Sequence, residues 1–248
     1  MPMTSVSLTR RSLLGSAAAY IALGTASAHA RIISGAMPWA PAVANPPRPW
    51  RPGPWLFFTA EEAAMIEASV DRLIPADELG VGGKDAGCAI FIDRQLAGPY
   101  GQAAGLYMRP PFLPGLPTQT GQSANAPAAI YRAALKEVAG HVSTKFGGRP
   151  FASLSPQDQD SVLSELEKGS VELKTVKSGE FFNLLLQNTM EGYFADPIYG
   201  GNRDMAGWRL VGFPGTRYDY RDWVERHNEP YPLPPVAITG RSDWTVRK

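Results

Sequence analysis

Twenty-three prolines constrain this chain of 248 residues more than any other feature, because they leave only a few windows in which a helix can run. Each proline locks φ and removes an amide donor, so it ends a helix or spoils a sheet ladder. Seven of them, Pro38, Pro41, Pro46, Pro47, Pro49, Pro52 and Pro54, fall within residues 31–58. Pro110, Pro111, Pro114 and Pro117 punctuate residues 99–125, alongside Gly101, Gly105, Gly115 and Gly121. Pro230, Pro232, Pro234 and Pro235 mark the tail. With 25 glycines added, well over the usual share of the chain is loop-forming. Yet 44% of residues are hydrophobic and 19% charged, an ordinary globular balance that excludes wholesale disorder.

The windows between prolines read as helices. Thr59-Ala60-Glu61-Glu62 spells a capping box. Behind it, Ile66, Val70, Leu73 and Ile74 form a one-sided stripe that Pro75 stops. A second helix is expected from about Ala86 to Leu96, with Asp85 as its N-cap, Ile90, Phe91 and Ile92 buried, and Gly98-Pro99 ending it. A third starts at Pro127, carries Ile130, Ala134, Val138 and Val142 on one face, and closes at Gly147-Gly148. Ser155-Pro156 opens a fourth, with Val162, Leu163 and Leu166, ended by Gly169. The fifth, about 179–194, is apolar over most of its circumference (Phe181, Phe182, Leu184, Leu185, Leu186, Met190) and is expected at the centre. No alternating strand pattern and no repeat emerges. The fold class is therefore mainly α: a small helical bundle with long Pro/Gly/aromatic-rich loops and extended N- and C-terminal arms. The expected segments are 1–30, an arm at 31–58, a helical domain at 59–215 and a tail at 216–248.

Residues 1–30 read as an export signal. They hold no acid and two bases, Arg10 and Arg11, followed by a small-residue apolar run that ends in Ala28-His29-Ala30, an A-x-A cleavage pattern. Thr9-Arg10-Arg11-Ser12-Leu13-Leu14 matches the twin-arginine pattern, the route for proteins exported already folded. A plain secretory signal or an uncleaved anchor is the alternative. Removing these residues leaves 22 bases against 23 acids, a net charge of −1. That balance argues against nucleic-acid binding, which needs a basic surplus.

Chemistry is sparse. Cys88 is the single cysteine, so an internal disulfide, a cysteine zinc site and a self-held iron–sulfur cluster are excluded. No dinucleotide, nucleophile-elbow or zinc-protease motif is present. His141 is expected at the surface or half-buried, and His227 solvated. Asp71, Asp77, Glu78, Asp85 and Asp93 are the candidates for a glycosidase-type carboxylate pair, but each has a local explanation, Asp71 and Asp93 beside Arg72 and Arg94. No catalytic, cofactor-binding or metal-ligating residue is assigned. The densest stretch is Asp196-Pro197-Ile198-Tyr199-Gly200-Gly201-Asn202-Arg203-Asp204, followed by Trp208. Its glycines could shape an anion nest for a phosphate or sugar, or a rigid turn for docking; the second reading is favoured. Trp50 and Trp55 in the first arm, and Tyr218 and Trp223 before the tail, add aromatic anchors of the kind interface cores use.

Three blocks resemble a known family. They are Phe58-Thr59-Ala60-Glu61-Glu62 through Asp71-Arg72-Leu73-Ile74-Pro75-Ala76-Asp77; Phe91-Ile92-Asp93-Arg94-Gln95-Leu96-Ala97-Gly98-Pro99-Tyr100-Gly101; and Glu191-Gly192-Tyr193-Phe194-Ala195-Asp196-Pro197 through Gly215. With the leader, they make the chain similar to the gluconate 2-dehydrogenase subunit 3 family, the small subunits of FAD-dependent gluconate, fructose, sorbitol or glucose dehydrogenases. The resemblance implies a non-catalytic subunit in a periplasmic complex at the inner membrane, exported by the twin-arginine translocase. It implies a large GMC-type catalytic subunit holding FAD, often with a multihaem cytochrome c subunit. The small subunit would stabilise the large one and supply its export signal. A self-standing periplasmic carbohydrate binder or enzyme using the Gly200–Asp204 loop is the rival reading, and a membrane tether with an uncleaved leader is a third.

Overall fold

A computed structural model describes residues 53–113, 115–116, 123–217 and 219–238. The leader residues Arg10, Arg11, Ala28 and Ala30 lie outside the described residues, as do Trp50 and Tyr218. Six α-helices make up the described part: α1 (Ala60–Leu73), α2 (Cys88–Ala97), α3 (Pro127–Lys145), α4 (Pro156–Glu167), α5 (Ser178–Phe194) and α6 (Ala206–Val211). Short 3₁₀ turns intervene at Phe151–Ser153, Pro197–Tyr199, Arg203–Met205 and Arg221–Trp223. No strand occurs among the described residues; Gly215 and Val236 form an isolated parallel bridge. The class is mainly α, as the proline spacing predicts. No helix among the described residues is long and apolar enough to cross a membrane.

The start signals work as chemistry. At α1 the Thr59 hydroxyl accepts from the Glu62 amide, and Glu62 accepts from the Thr59 amide at 2.9 Å. Ser155 caps α4 by accepting from the Asp158 amide. Proline occupies the first turn of both α3 and α4, where no amide partner is needed. The second helix departs from expectation. It starts at Cys88, and its N-cap is Gly87 at φ +83°, not Asp85, which is exposed. A β-carbon on Gly87 would sit 2.7 Å from the Gly200 carbonyl oxygen, so backbone proximity rather than side-chain capping selects this residue.

Helix α5 occupies the centre, packed by α1, α2, α3, α4 and α6. Phe181, Phe182, Leu185 and Tyr193 are buried on it, each contributing about 1.5–3 kcal/mol. They meet Ile66 and Val70 of α1, Ile92 of α2, Leu135 and Val142 of α3, and Val162 and Leu166 of α4 in one core. Burial is not complete around α5, however: Met190 and Phe194 remain exposed. Ile90 of α2, expected inside, is half-buried. A polar string crosses the core. The Tyr131 hydroxyl donates to Asn188 Oδ1 (2.9 Å), and Asn188 Nδ2 donates to Tyr100 (3.1 Å) and Glu191 (3.0 Å). Burial pushes the Tyr131 phenol well above its ordinary range, so it acts here as a neutral donor.

Candidate functional site

Two features organise the rest of the surface, and the first is Asp93. This carboxylate on α2 is fully buried. Its Oδ1 accepts from the amides of Phe57 and Phe58, and its Oδ2 from the amide of Leu56, all at 2.9 Å. Arg94 donates to Asp93 Oδ2 (3.1 Å) and reaches the Pro54 carbonyl (3.1 Å). The reading of Asp93 as merely the neighbour of Arg94 is thus incomplete: its main work is to satisfy three arm amides that pack against the bundle and would otherwise be orphaned. Trp55 and Phe57 then lie edge-on to Phe58, with ring centroids 6.3 and 5.2 Å apart. Arg132 covers the Phe57 ring at 4.2 Å, donates to the Phe57 carbonyl and pairs with Glu62. Asp71 does not hold Arg72; that guanidinium crosses to Asp160 on α4, at 2.7 and 2.8 Å.

The second feature is the segment after α5. Asn202 is fully buried in the left-handed region (φ +44°), which asparagine tolerates better than most residues. Its Nδ2 donates to the Ala195 carbonyl and its Oδ1 accepts from the Gly207 amide, both at 2.8 Å. Asp196 Oδ1 accepts from the Ile198 amide (3.0 Å), and Oδ2 from the amide of Ile238 in the tail (2.8 Å). Trp208 is buried and its indole donates to the Phe194 carbonyl at 2.7 Å. The amides of Tyr199, Gly200, Arg203 and Met205 donate to carbonyls of Asp196, Pro197, Ala86 and Asn202. Gly201 lies against the Gly192 carbonyl and Gly207 against the Tyr193 carbonyl, so close that a β-carbon would collide with backbone at either site. The glycine density thus serves close backbone packing onto the end of α5.

The aromatic and charged candidates separate by exposure. Tyr199 and Asp204 are exposed, Arg203 is half-buried with its side chain beside Gly87, and Asp196, Asn202 and Trp208 face inward. Trp55 belongs to the Asp93 cluster, and Trp223 stacks edge-on with Tyr231 (5.0 Å) under Arg226 (4.5 Å). A groove of about 710 Å³ runs between α1 and α3, lined by Ala60, Ala64, Met65, Leu135 and Ala139 with Lys136 and Arg149 at its edge.

Among the described residues, no group of three or more His, Cys, Asp or Glu side chains is placed to hold a metal ion. Cys88 is fully buried, and burial pushes its thiol up to about 12, far from a reactive thiolate. His141 is half-buried and lies 3.3 Å from Glu165, which also pairs with Lys145. Hydrogen bonding to Lys145 holds the Glu165 carboxyl below its usual range, so this trio ties α3 to α4.

Sequence reasoning missed the three-amide role of Asp93 and the exposed pair Met190 and Phe194. The i, i+4 spacing of that pair is the signal that could have found it. A search of curated proteins gave no match, and neither did a search of solved structures. The family model for gluconate 2-dehydrogenase subunit 3 matches residues 60–215, from the first turn of α1 to the glycine that bridges to the tail. This chain belongs to the gluconate 2-dehydrogenase subunit 3 family.

Proposed function

We propose that the chain is a non-catalytic small subunit, which binds and stabilises an FAD-containing dehydrogenase subunit and supplies its twin-arginine export signal. The observation that supports this reading is the family match over residues 60–215, since the family is named for a subunit of a gluconate dehydrogenase. The manner of folding supports it. The polar groups in the most distinctive segment, Asp196, Asn202 and Trp208, bond to backbone of the chain itself rather than converging on a cavity. Sugar choice and FAD then belong to the partner, and electrons pass onward to a cytochrome c subunit in complexes that carry one. The complex works in the periplasm at the inner membrane.

The test is export of a co-expressed flavin subunit that has no signal of its own. Replacing Arg10 and Arg11 together by lysine should strand dehydrogenase activity in the cytoplasm. Periplasmic activity undiminished by that change would refute the escort role. Calorimetry of the isolated mature chain with sugars addresses the rival: saturable binding without a partner would favour a self-standing carbohydrate binder.

A further inference from the structure

The connection from α2 to α3 leaves and returns at one point. The Ala128 amide, at the start of α3, donates to the Gly101 carbonyl at 3.0 Å. Gly101 itself packs so tightly on the Leu96 carbonyl that a β-carbon would not fit. Ala103, whose amide donates to the Tyr100 carbonyl, is buried. Beyond this fixed base the chain turns apolar side chains into water. Leu106, Tyr107, Leu113 and Leu116 are 68%, 72%, 65% and 66% exposed, four of the five most exposed large hydrophobics among the described residues. All four fall within residues 106–116, so chain continuity alone keeps them together.

We propose that this segment is a lipid-contact loop, which seats its leucines at the boundary between headgroups and acyl chains of a phospholipid bilayer. The inference goes beyond the small-subunit reading and does not depend on it. Three observations select lipid over protein. From Ala104 to Leu116 only Tyr107 and Arg109 carry side chains that make strong hydrogen bonds, whereas a protein interface surrounds its apolar centre with a hydrogen-bonding rim. Tyrosine is also the kind of ring that settles at headgroup level. No acid occurs between Asp93 and Glu137, and Arg109 is exposed, so a phosphate surface meets one cation here and no repelling carboxylate of the segment. Pro110 and Pro111 have no amide hydrogen to strip of water, which lowers the cost of leaving bulk solvent. The irregular backbone sets the depth: a lipid-exposed loop does not enter the hydrocarbon core, so contact stops at the boundary.

The experiment places an environment-sensitive fluorophore on the full chain through Gly105→Cys, beside Leu106, where a side chain meets open space. Cys88 is fully buried, so the label goes to position 105. A second chain carries the label through Gln157→Cys, exposed on α4. Both are mixed with vesicles of phosphatidylethanolamine and phosphatidylglycerol. A blue shift at 105 and none at 157 is expected, and because each label reports its own surroundings, adhesion by residues 1–30 does not mimic it. Adding Leu106→Glu should lower the ratio of inserted to uninserted loop at least about tenfold, the factor for losing one buried leucine. Arg109→Glu should lower that ratio more on these vesicles than on phosphatidylcholine alone. Thermal melts of all variants should match the wild-type chain, since every substituted side chain is exposed. No shift at 105, equal shifts at both positions, or a ratio unmoved by both charge variants would overturn the proposal. A label at 105 that ignores vesicles but shifts when the flavin-dependent dehydrogenase subunit is added would assign the loop to a protein interface, overturning this inference while the small-subunit reading stands.

Discussion

Replacing Asp93 by alanine would leave the amides of Leu56, Phe57 and Phe58 facing a void in place of a carboxylate. A buried donor without a partner costs about 1–3 kcal/mol, so three left in place would cost about 3–9 kcal/mol. The chain has a cheaper escape, because residues 53–58 can lift away and hydrate their amides. That escape forfeits the burial of Phe58, about 1.5–3 kcal/mol, together with parts of Trp55 and Phe57. The smaller penalty prevails, so Asp93→Ala should destabilise the fold by about 3–5 kcal/mol, the range for breaking a buried charged contact. For a domain of this size that lowers Tm by roughly 6–20 °C. Asp93→Asn should fall between, since its Oδ1 still accepts from Phe57 and Phe58 while its Nδ2 opposes the Leu56 amide and Arg94. Urea and thermal unfolding give the global cost, and hydrogen exchange at amides 56–58 gives the local one. Those amides should lose protection while the core of α5 keeps it. A variant within about 1 kcal/mol of wild type, with amides 56–58 still protected, would refute the assignment of Asp93 as the clamp.

Other expectations are briefer. Gly207→Ala should push α6 off α5, because the new methyl would lie 2.9 Å from the Tyr193 ring and closer still to its carbonyl; a loss of more than about 2 kcal/mol in urea unfolding is expected. Asn202→Ala strands the Gly207 amide and the Ala195 carbonyl and should cost about 2–4 kcal/mol, read by the same unfolding curves. Cys88 should resist iodoacetamide in the folded chain and react only on unfolding, which mass spectrometry of timed quenches would show. Acid should weaken the α1–α4 and α3–α4 ties. Hydrogen bonding to Arg72 holds Asp160 below 3.8, and Lys145 holds Glu165 below 4.5. A depressed folded pKa contributes stability that is present above those ordinary values and is lost as pH falls through the lower folded ones. Arg72→Gln should therefore flatten the decline in stability over the acid range, by less than about 1 kcal/mol because the pair is partly solvated.

Helix positions were legible from the chain because their signals are local. Thr59 with Glu62, Pro127 and Ser155 each act within one turn, and each marks a helix start in the fold. The start of α2 was not legible, since Gly87 is chosen by Gly200, more than a hundred residues away. Asp93 misled for the same reason: its nearest charged neighbour in sequence is Arg94, but its amide donors come from 35–37 residues upstream. In the segment after α5 the glycines announced an unusual backbone. Whether they shaped a ligand cradle or a packing joint depended on where the amides and the Asn202 side chain pointed, and that is set by the end of α5.

Asp196 couples two distant parts of the chain through its two oxygens. One arrests the turn that leaves α5; the other grips Ile238, beyond the buried pair Val236 and Ala237. A protease cut between Tyr220 and Val236 would let that grip dissociate, and the junction under Phe194 would lose a brace although every residue of the junction remained intact. Integrity of the final segment is in this way felt at the turn that leaves α5, so a clipped chain should lose order there before the bundle unfolds.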